Sequence, residues 1–202
     1  MSKQFLGRDY DRDKNQTYRP HDEAMDSSGE EGTVKEEITA DILSLLLIHH
    51  QQLKQSIYVL KDDSVVGTEK QLHLLQFVDL FMAMSQTEEN ILYDELRFLH
   101  EHEVMTFQAY EMNAVARAII QELEALEFRL NWSTLVAAKA KVLAEIVEQH
   151  LNNEEAYYFS VVREVLPKEE LVMLGKEYLR LFEEAKAHEK ASLKPSGFWV
   201  EN

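Results

Sequence analysis

The sequence contains no cysteine, and it has only six glycines and three prolines among its 202 residues. The lack of cysteine excludes disulfides, thiolate metal ligands and cysteine nucleophiles. Because glycine and proline interrupt helices, their scarcity leaves room for long uninterrupted ones. Hydrophobic residues make up 45% of the chain, and leucine, glutamate and alanine recur throughout it. This composition predicts an all-α protein with a substantial core.

Two further absences bear on location and partners. No segment is apolar for the ~18 residues that a membrane helix needs, and the first residues, MSKQFLGRDYDRDKNQ, lack the apolar centre of a secretion signal. Acidic residues outnumber basic ones 37 to 21, and the formal net charge is −16. Such a charge argues against nucleic acid or an anionic membrane as a partner. We therefore expect a cytoplasmic protein that binds neither.

The chain divides into a polar arm, a helical region and a short tail. Residues 1–32 mix both charge signs, end in DSSGEEG, and are predicted to form a flexible arm. Hydrophobic periodicity over residues 33–190 predicts five amphipathic helices, and residues 191–202 form the tail. The predicted helices span residues 33–60, 68–94, 98–130, 134–166 and 167–190. Short loops between long helices favour an antiparallel four-helix bundle with an extra C-terminal helix.

Two helix boundaries carry local signals of different quality. Thr68 and Gln71 have the spacing of a capping box, which predicts the start of the second helix. No glycine or proline separates the second predicted helix from the third. A single helix over both would be roughly 90 Å long, which is too long for this chain, so we place the break near Asp94.

The fourth predicted helix carries ionisable residues on its apolar face. At helical spacing, His150 and Glu154 fall within the stripe that includes Leu143, Val147 and Val161. A buried carboxylate without a partner costs several kcal/mol, so some group should compensate Glu154. Side chains four residues apart lie above one another on a helix, and this pair can therefore reach one metal ion together.

The other three helices of the predicted bundle show the same anomaly. His50 lies on the apolar stripe of the first helix, Glu88 on that of the second, and His102 on that of the third. His49 fits a neighbouring stripe, so the pattern leaves the choice between His49 and His50 open. Glu89 and Glu155 follow the candidate carboxylates directly and are interpreted as helix-surface carboxylates, with a role in supporting the neighbouring ligands as the alternative.

A single histidine on an apolar face is more often a hydrogen-bonded core residue than a metal ligand. The agreement of four helices favours a metal site instead, and a buried histidine–glutamate network without metal is the alternative. Imidazole and carboxylate ligands suit iron, manganese or zinc. Ferritin-like di-iron proteins need Glu-x-x-His on two helices. No histidine of this chain has a glutamate three residues before it, which excludes that class.

The segments LLLIHHQQL, TEENILYDEL, LHEHEVM and EQHLNNEEAYYF occur in this order within residues 38–180. In order and spacing they resemble the hemerythrin-like family, the HHE cation-binding bundles. The most specific of the four is the last. The resemblance implies a ligand set that this chain matches at these positions: His50, Glu88, His102, His150 and Glu154.

The resemblance also exposes a departure from the family. The second-helix histidine of the family falls on Met84, whose thioether suits iron poorly. A further third-helix histidine of the oxygen-carrying members falls on Thr106. By the family pattern, one metal keeps His102 and His150, while its neighbour keeps only His50. The resemblance therefore implies a depleted centre.

As the resemblance implies, we expect one or two non-haem iron ions, with manganese or zinc as substitutes. The expected role is to bind or sense dioxygen or nitric oxide, or to handle iron. Two other functions stay open. A metal-free bundle would act as a protein-interaction module through the N-terminal arm or the Phe198–Trp199 end. An enzyme would carry out iron-centre repair or peroxide chemistry at an open coordination position.

Overall fold

A computed structural model of the protein describes residues 40–96 and 102–192. The predicted N-terminal arm, residues 1–32, lies outside the described residues, as does the start of the first predicted helix. The tail predicted for residues 191–202 is described only as far as Ser192, where the last helix ends.

The described residues fold into helices, and no strand occurs in these two ranges. The α-helices are α1 (Ile42–Lys61), α2 (Gly67–Glu88), α3 (Asp94–Leu96), α4 (Glu103–Ala125), α5 (Thr134–Asn153), α6 (Phe159–Val165) and α7 (Lys168–Ser192). Two π-helical segments, Glu89–Tyr93 and Glu154–Tyr158, follow α2 and α5. The prediction of an all-α protein is confirmed for the described residues.

Short polar side chains fix the starts of two helices. The side chain of Asp41 accepts a hydrogen bond from the Ser44 backbone N–H at 2.9 Å and caps α1. The hydroxyl of Ser133 accepts one from the Val136 N–H at 3.2 Å and caps α5. Each bond satisfies a backbone donor that the first turn of a helix leaves free. The predicted helix start at Thr134 is therefore confirmed.

The start of α2 differs from the prediction. The helix begins at Gly67 after Val66, and no side chain caps it. The capping box predicted for Thr68 and Gln71 is wrong, because the Gln71 amide donates to the Phe128 carbonyl at 2.8 Å instead. Gln71 thus ties α2 to the turn that follows α4.

The long helices share one hydrophobic core. Helix α1 contacts α2, α5 and α7, while α4 pairs mainly with α5 and touches α2. The largest fully buried apolar side chains include Phe77, Phe81, Phe128 and Phe159. Among the described helices, none combines the length and the apolar character that crossing a membrane requires.

Helix α7 covers one side of α1 and α2. Its residues Tyr178 and Phe182 are buried in the common core. A Cβ atom at Gly175 would lie 2.4 Å from the Ala40 carbonyl oxygen and 3.0 Å from the Ile42 nitrogen. Only glycine therefore allows α7 to approach the start of α1 this closely.

Candidate metal centre

Three ionisable side chains from three elements meet inside the core. His50 of α1 and Glu88 of α2 are fully buried, and Glu154, which follows α5, is 2% exposed. One ligand atom from each lies within 4.8 Å of the others. His150 of α5, 3% exposed, lies beside this group with its Nε2 3.5 Å from Glu154 Oε1. We call His50, Glu88 and Glu154 the buried triad.

His50 is oriented by a pair of charged residues. Its Nδ1 lies 3.0 Å from Glu155 Oε1, and the other oxygen of Glu155 accepts from Lys54 Nζ at 2.7 Å. The bond from His50 and the neighbouring Lys54 lower the pKa of Glu155 to about 2, so this carboxylate is ionised and can only accept. In the neutral imidazole the proton therefore resides on Nδ1, and Nε2 presents its lone pair toward Glu154 Oε2. Metal-binding histidines are commonly held this way.

The atoms that face one another in the triad lack hydrogen bonds. Among the described residues, neither His50 Nε2, Glu154 Oε2, nor either oxygen of Glu88 has a hydrogen-bond partner. His50 Nε2 and Glu154 Oε2 lie 3.6 Å apart, which is too long for a hydrogen bond. Buried polar groups are nearly always satisfied, and a cation placed among these atoms would satisfy them together. The donor set of one imidazole and two carboxylates fits a metal ion of intermediate or hard character.

The electrostatics of Glu88 point the same way. Burial raises the pKa of Glu88 well above its usual range, and the nearby Glu154 carboxylate raises it further. In the metal-free protein this carboxyl is therefore stabilised in its protonated form. A bound cation would reverse that preference, since it stabilises the carboxylate.

Tyr93 fixes the orientation of Glu154. Its hydroxyl donates a hydrogen bond to Glu154 Oε1 and lies 3.5 Å from His150 Nε2. Burial and the adjacent Glu154 raise the pKa of Tyr93 well above its usual value, so the phenol keeps its proton. With Oε1 held by the tyrosine, Oε2 of Glu154 is the oxygen turned toward His50.

The two π-helical segments place these residues. One begins directly after Glu88 and the other begins at Glu154. A π turn bonds residues five apart, so it returns Tyr93 toward the face of the helix that carries Glu88. Such single π turns within α-helices occur frequently at functional sites.

The structure brings four of the five predicted ligands together: His50, Glu88, His150 and Glu154. It does not bring His102 to them. His102 is half-buried and precedes α4, which begins only at Glu103. The prediction assumed a helix from residue 98, whereas the buried face of α4 starts one turn later, at Thr106.

The structure also separates His49 from His50. The Nδ1 atom of His49 lies 2.6 Å from the Tyr178 hydroxyl, and its ring stacks on Phe182 of α7. Burial and the adjacent His50 lower the pKa of His49 to about 4. His49 thus contacts α7, while His50 faces Glu88 and Glu154. Met84 is fully buried one turn before Glu88.

Two contributing residues carry little signal in the sequence. Tyr93 carries no helical-periodicity signal, because only the π turn brings it to the site. Glu155 is half-buried and bonded to His50, which agrees with the supporting role left open for it and not with a surface position. Its position directly after a candidate ligand was the one available signal.

A cavity of about 290 Å³ adjoins the site. Met105, Ala109 and Met112 of α4 line it from one side, and His150 and Glu154 from the other. A larger cavity of about 630 Å³ between α1, α2 and α7 includes His49 and His73 but no member of the triad. The smaller cavity matters for the site, because two of the four clustered side chains form its wall.

We expect Glu155→Gln to weaken metal binding by about 10–100-fold, because it replaces the charged partner that orients His50. Glu148→Gln is the matched control: Glu148 of α5 pairs with Lys61 of α1 at 2.5 Å and is not part of the site. Titration calorimetry with Mn²⁺ compares the two variants. Equal affinities in both would contradict the role given to Glu155.

Glu155→Gln should also change the pH dependence of stability in the metal-free protein. Because the folded pKa of Glu155 is lowered to about 2, its stabilising contribution is present above the unfolded carboxyl pKa, about 4.3. That contribution is lost as the pH falls from there toward about 2. The stability difference between wild type and Glu155→Gln should therefore shrink between pH 5 and pH 3, as measured by urea unfolding.

Comparisons with protein-family models, with characterised proteins and with solved structures found no significant match to this chain.

Proposed function

We propose that this protein binds a non-haem metal, with iron as the first choice and manganese or zinc as substitutes. The observation that carries the proposal is the set of unsatisfied ligand atoms of His50, Glu88 and Glu154, which converge in the buried core. His150 adds a second imidazole beside them. The chain offers no thiolate, and imidazole with carboxylates is a ligand set that iron, manganese and zinc share.

A finer description of the fold belongs to the same proposal. We propose that α1, α2, α4 and α5 form a four-helix bundle of the hemerythrin-like kind, with α7 as the extra helix. The pairing of α1 with α2 and of α4 with α5 supports it, as does the placement of ligands on the inner faces. The sequence segments that resemble the hemerythrin-like family supply three of the four helices with a clustered side chain.

The proposed role is to bind or sense a small diatomic molecule, dioxygen or nitric oxide, or to handle iron. When bound, iron supplies a Lewis-acidic and redox-active centre that accepts such ligands. The clustered side chains would hold the metal, the surrounding core would exclude bulk water from it, and a cavity would give the diatomic ligand access to it. The cavity of about 290 Å³ that reaches His150 and Glu154 is large enough for a diatomic ligand and supports this role.

The test begins with the full chain. Purified protein is stripped with a chelator, loaded with Fe²⁺ without oxygen, and analysed for metal by elemental analysis and for melting temperature. We expect one or two ions per chain and a higher melting temperature, because a ligand that binds only the folded state stabilises it. Nitric oxide should then change the visible spectrum of the loaded protein. A chain that takes up no Fe²⁺, Mn²⁺ or Zn²⁺ contradicts the proposal.

A further inference from the structure

The described helices contain an internal repeat. Most buried positions of α1 recur in α4 at one constant offset in the numbering, and most of those of α2 recur in α5 at another. In the first pair of helices, Leu43, Leu46, His50, Leu53, Ile57 and Leu60 correspond to Thr106, Ala109, Asn113, Ala116, Ile120 and Leu123. In the second pair, Phe77, Val78, Phe81, Met84 and Glu88 correspond to Leu143, Ala144, Val147, His150 and Glu154. The helical hairpin α1–α2 thus matches the hairpin α4–α5.

Ion pairs repeat together with the buried positions. Lys54, one turn after His50, binds Glu155 at 2.7 Å. Arg117, one turn after Asn113, binds Glu89 at 2.7 Å. Glu155 directly follows one carboxylate of the triad and Glu89 directly follows the other. This second agreement makes Asn113 the counterpart of His50.

The contacts of α4 show where Asn113 points. On one side of it, Tyr110 and Arg117 reach Glu89, which adjoins Glu88. On the other side, Ala109 and Met112 line the cavity that His150 and Glu154 also line. At 3.6 residues per turn, Asn113 lies between these two sides of the helix. Its side chain therefore points into the interior between α2 and α5.

Asn113 is fully buried, and neither its amide oxygen nor its amide nitrogen has a hydrogen-bond partner among the described residues. A buried amide without partners is costly and rare in native proteins. The carbonyl oxygen of an amide is a good ligand for hard cations. A cation on this side of the triad would satisfy it.

We infer that Asn113 is a metal ligand, which binds a hard divalent cation through its amide oxygen together with His150 and the Glu88–Glu154 carboxylates. The inference rests on the proposed metal-binding function and adds to it a ligand in place of His102. It also gives the centre an internal two-fold arrangement. One half comes from the hairpin α1–α2 and the other from the hairpin α4–α5, and each half provides one imidazole. His50 stands opposite Asn113 in the repeat, and His150 stands opposite Met84.

The chemistry of the two halves differs. The half with Asn113 and His150 offers an amide oxygen and an imidazole, whereas the half with His50 has the thioether of Met84 at the matching position. Oxygen donors favour Mn²⁺ and Fe²⁺ over softer ions. The Asn113 half is therefore the one that selects hard cations.

Mn²⁺ binding to the metal-free full chain tests the inference, with free Mn²⁺ measured by electron paramagnetic resonance. Asn113→Leu keeps the branching and the number of heavy atoms of the side chain and removes its oxygen, and we expect it to lower Mn²⁺ affinity by at least ~10-fold. Asn113→Asp restores an oxygen ligand and should bind Mn²⁺ at least as tightly as wild type. Met84→Leu, at the core position without a hard donor, is the matched control and should leave affinity unchanged.

Thermal unfolding of the metal-free variants separates a ligand from a structural residue. Asn113→Leu should melt no lower than wild type, because it removes an unsatisfied buried amide. Wild-type Mn²⁺ affinity in Asn113→Leu overturns the inference and leaves the metal-binding function standing. Failure of the wild-type chain to bind Mn²⁺ or Fe²⁺ overturns both.

Discussion

Replacing His50 by alanine should abolish the metal-dependent rise in melting temperature, since the variant loses the one imidazole whose free nitrogen faces both carboxylates. Its Nε2 has no other partner among the described residues, and its Nδ1 is already held by Glu155. Removing a direct ligand should cost more than the ~10–100-fold in affinity that loss of an outer hydrogen-bond partner costs. The measurement is thermal unfolding with and without Fe²⁺ under exclusion of oxygen.

His49→Ala is the control for that experiment. The two histidines are adjacent in α1, but His49 contacts Tyr178 and Phe182 instead of the triad. His49→Ala should lower the melting temperature of the metal-free protein, because it breaks the contact with α7. It should leave the increase caused by Fe²⁺ intact. If the increase in melting temperature survives in His50→Ala and disappears in His49→Ala, then His49 is the ligand and the assignment to His50 is wrong.

Replacing Glu88 by glutamine should change stability in opposite directions with and without metal. In the metal-free protein at neutral pH, the substitution removes a carboxyl that burial strongly disfavours in its charged form, and it should stabilise the fold. In the metal-loaded protein it removes a ligand and should destabilise the fold. Urea unfolding with chelator and with Fe²⁺ gives the two values.

The pH dependence of this effect follows from the raised pKa of Glu88. Between the unfolded pKa, about 4.3, and the higher folded pKa, the folded state binds more protons than the unfolded state. The stability of the metal-free wild type therefore falls as the pH rises through this window, while Glu88→Gln lacks this fall. The advantage of the variant should be larger at pH 8 than at pH 5. Glu111→Gln, an exposed change of equal charge on α4, should show no such advantage.

The fold class and most of the clustered side chains were predictable, because both depend on helical periodicity. His50, Glu88, His150 and Glu154 each lie on a stripe of apolar residues, and burial of that stripe carries them into the core. The start of α5 was predictable because a serine cap precedes it. These are local signals, and the folded chain preserves them.

Other features depend on interactions that no local pattern contains. The second helix passes into a π segment without glycine or proline, so its end could not be read from the sequence. Tyr93 lies in the same segment, five residues after Glu88, and the π turn brings its hydroxyl to Glu154. The burial of Asn113 is not predictable from its residue type, because asparagine is common on helix surfaces. His102 was included because the apolar stripe was extended past the point where α4 begins.

The π segments also make the length of the chain around the centre as important as its chemistry. Each π turn holds one residue more than an α turn, and one residue rotates everything after it by about 100° about the helix axis. Deleting a single residue between Glu88 and Leu92 would restore a regular α-helix and turn the buried side chains Leu92 and Leu96 out of the core. Substitutions in these segments change one contact, whereas insertions and deletions shift a whole helix face. Spacing between Glu88 and Tyr93, and between Glu154 and Phe159, is therefore the feature that any functional variant of this chain has to keep.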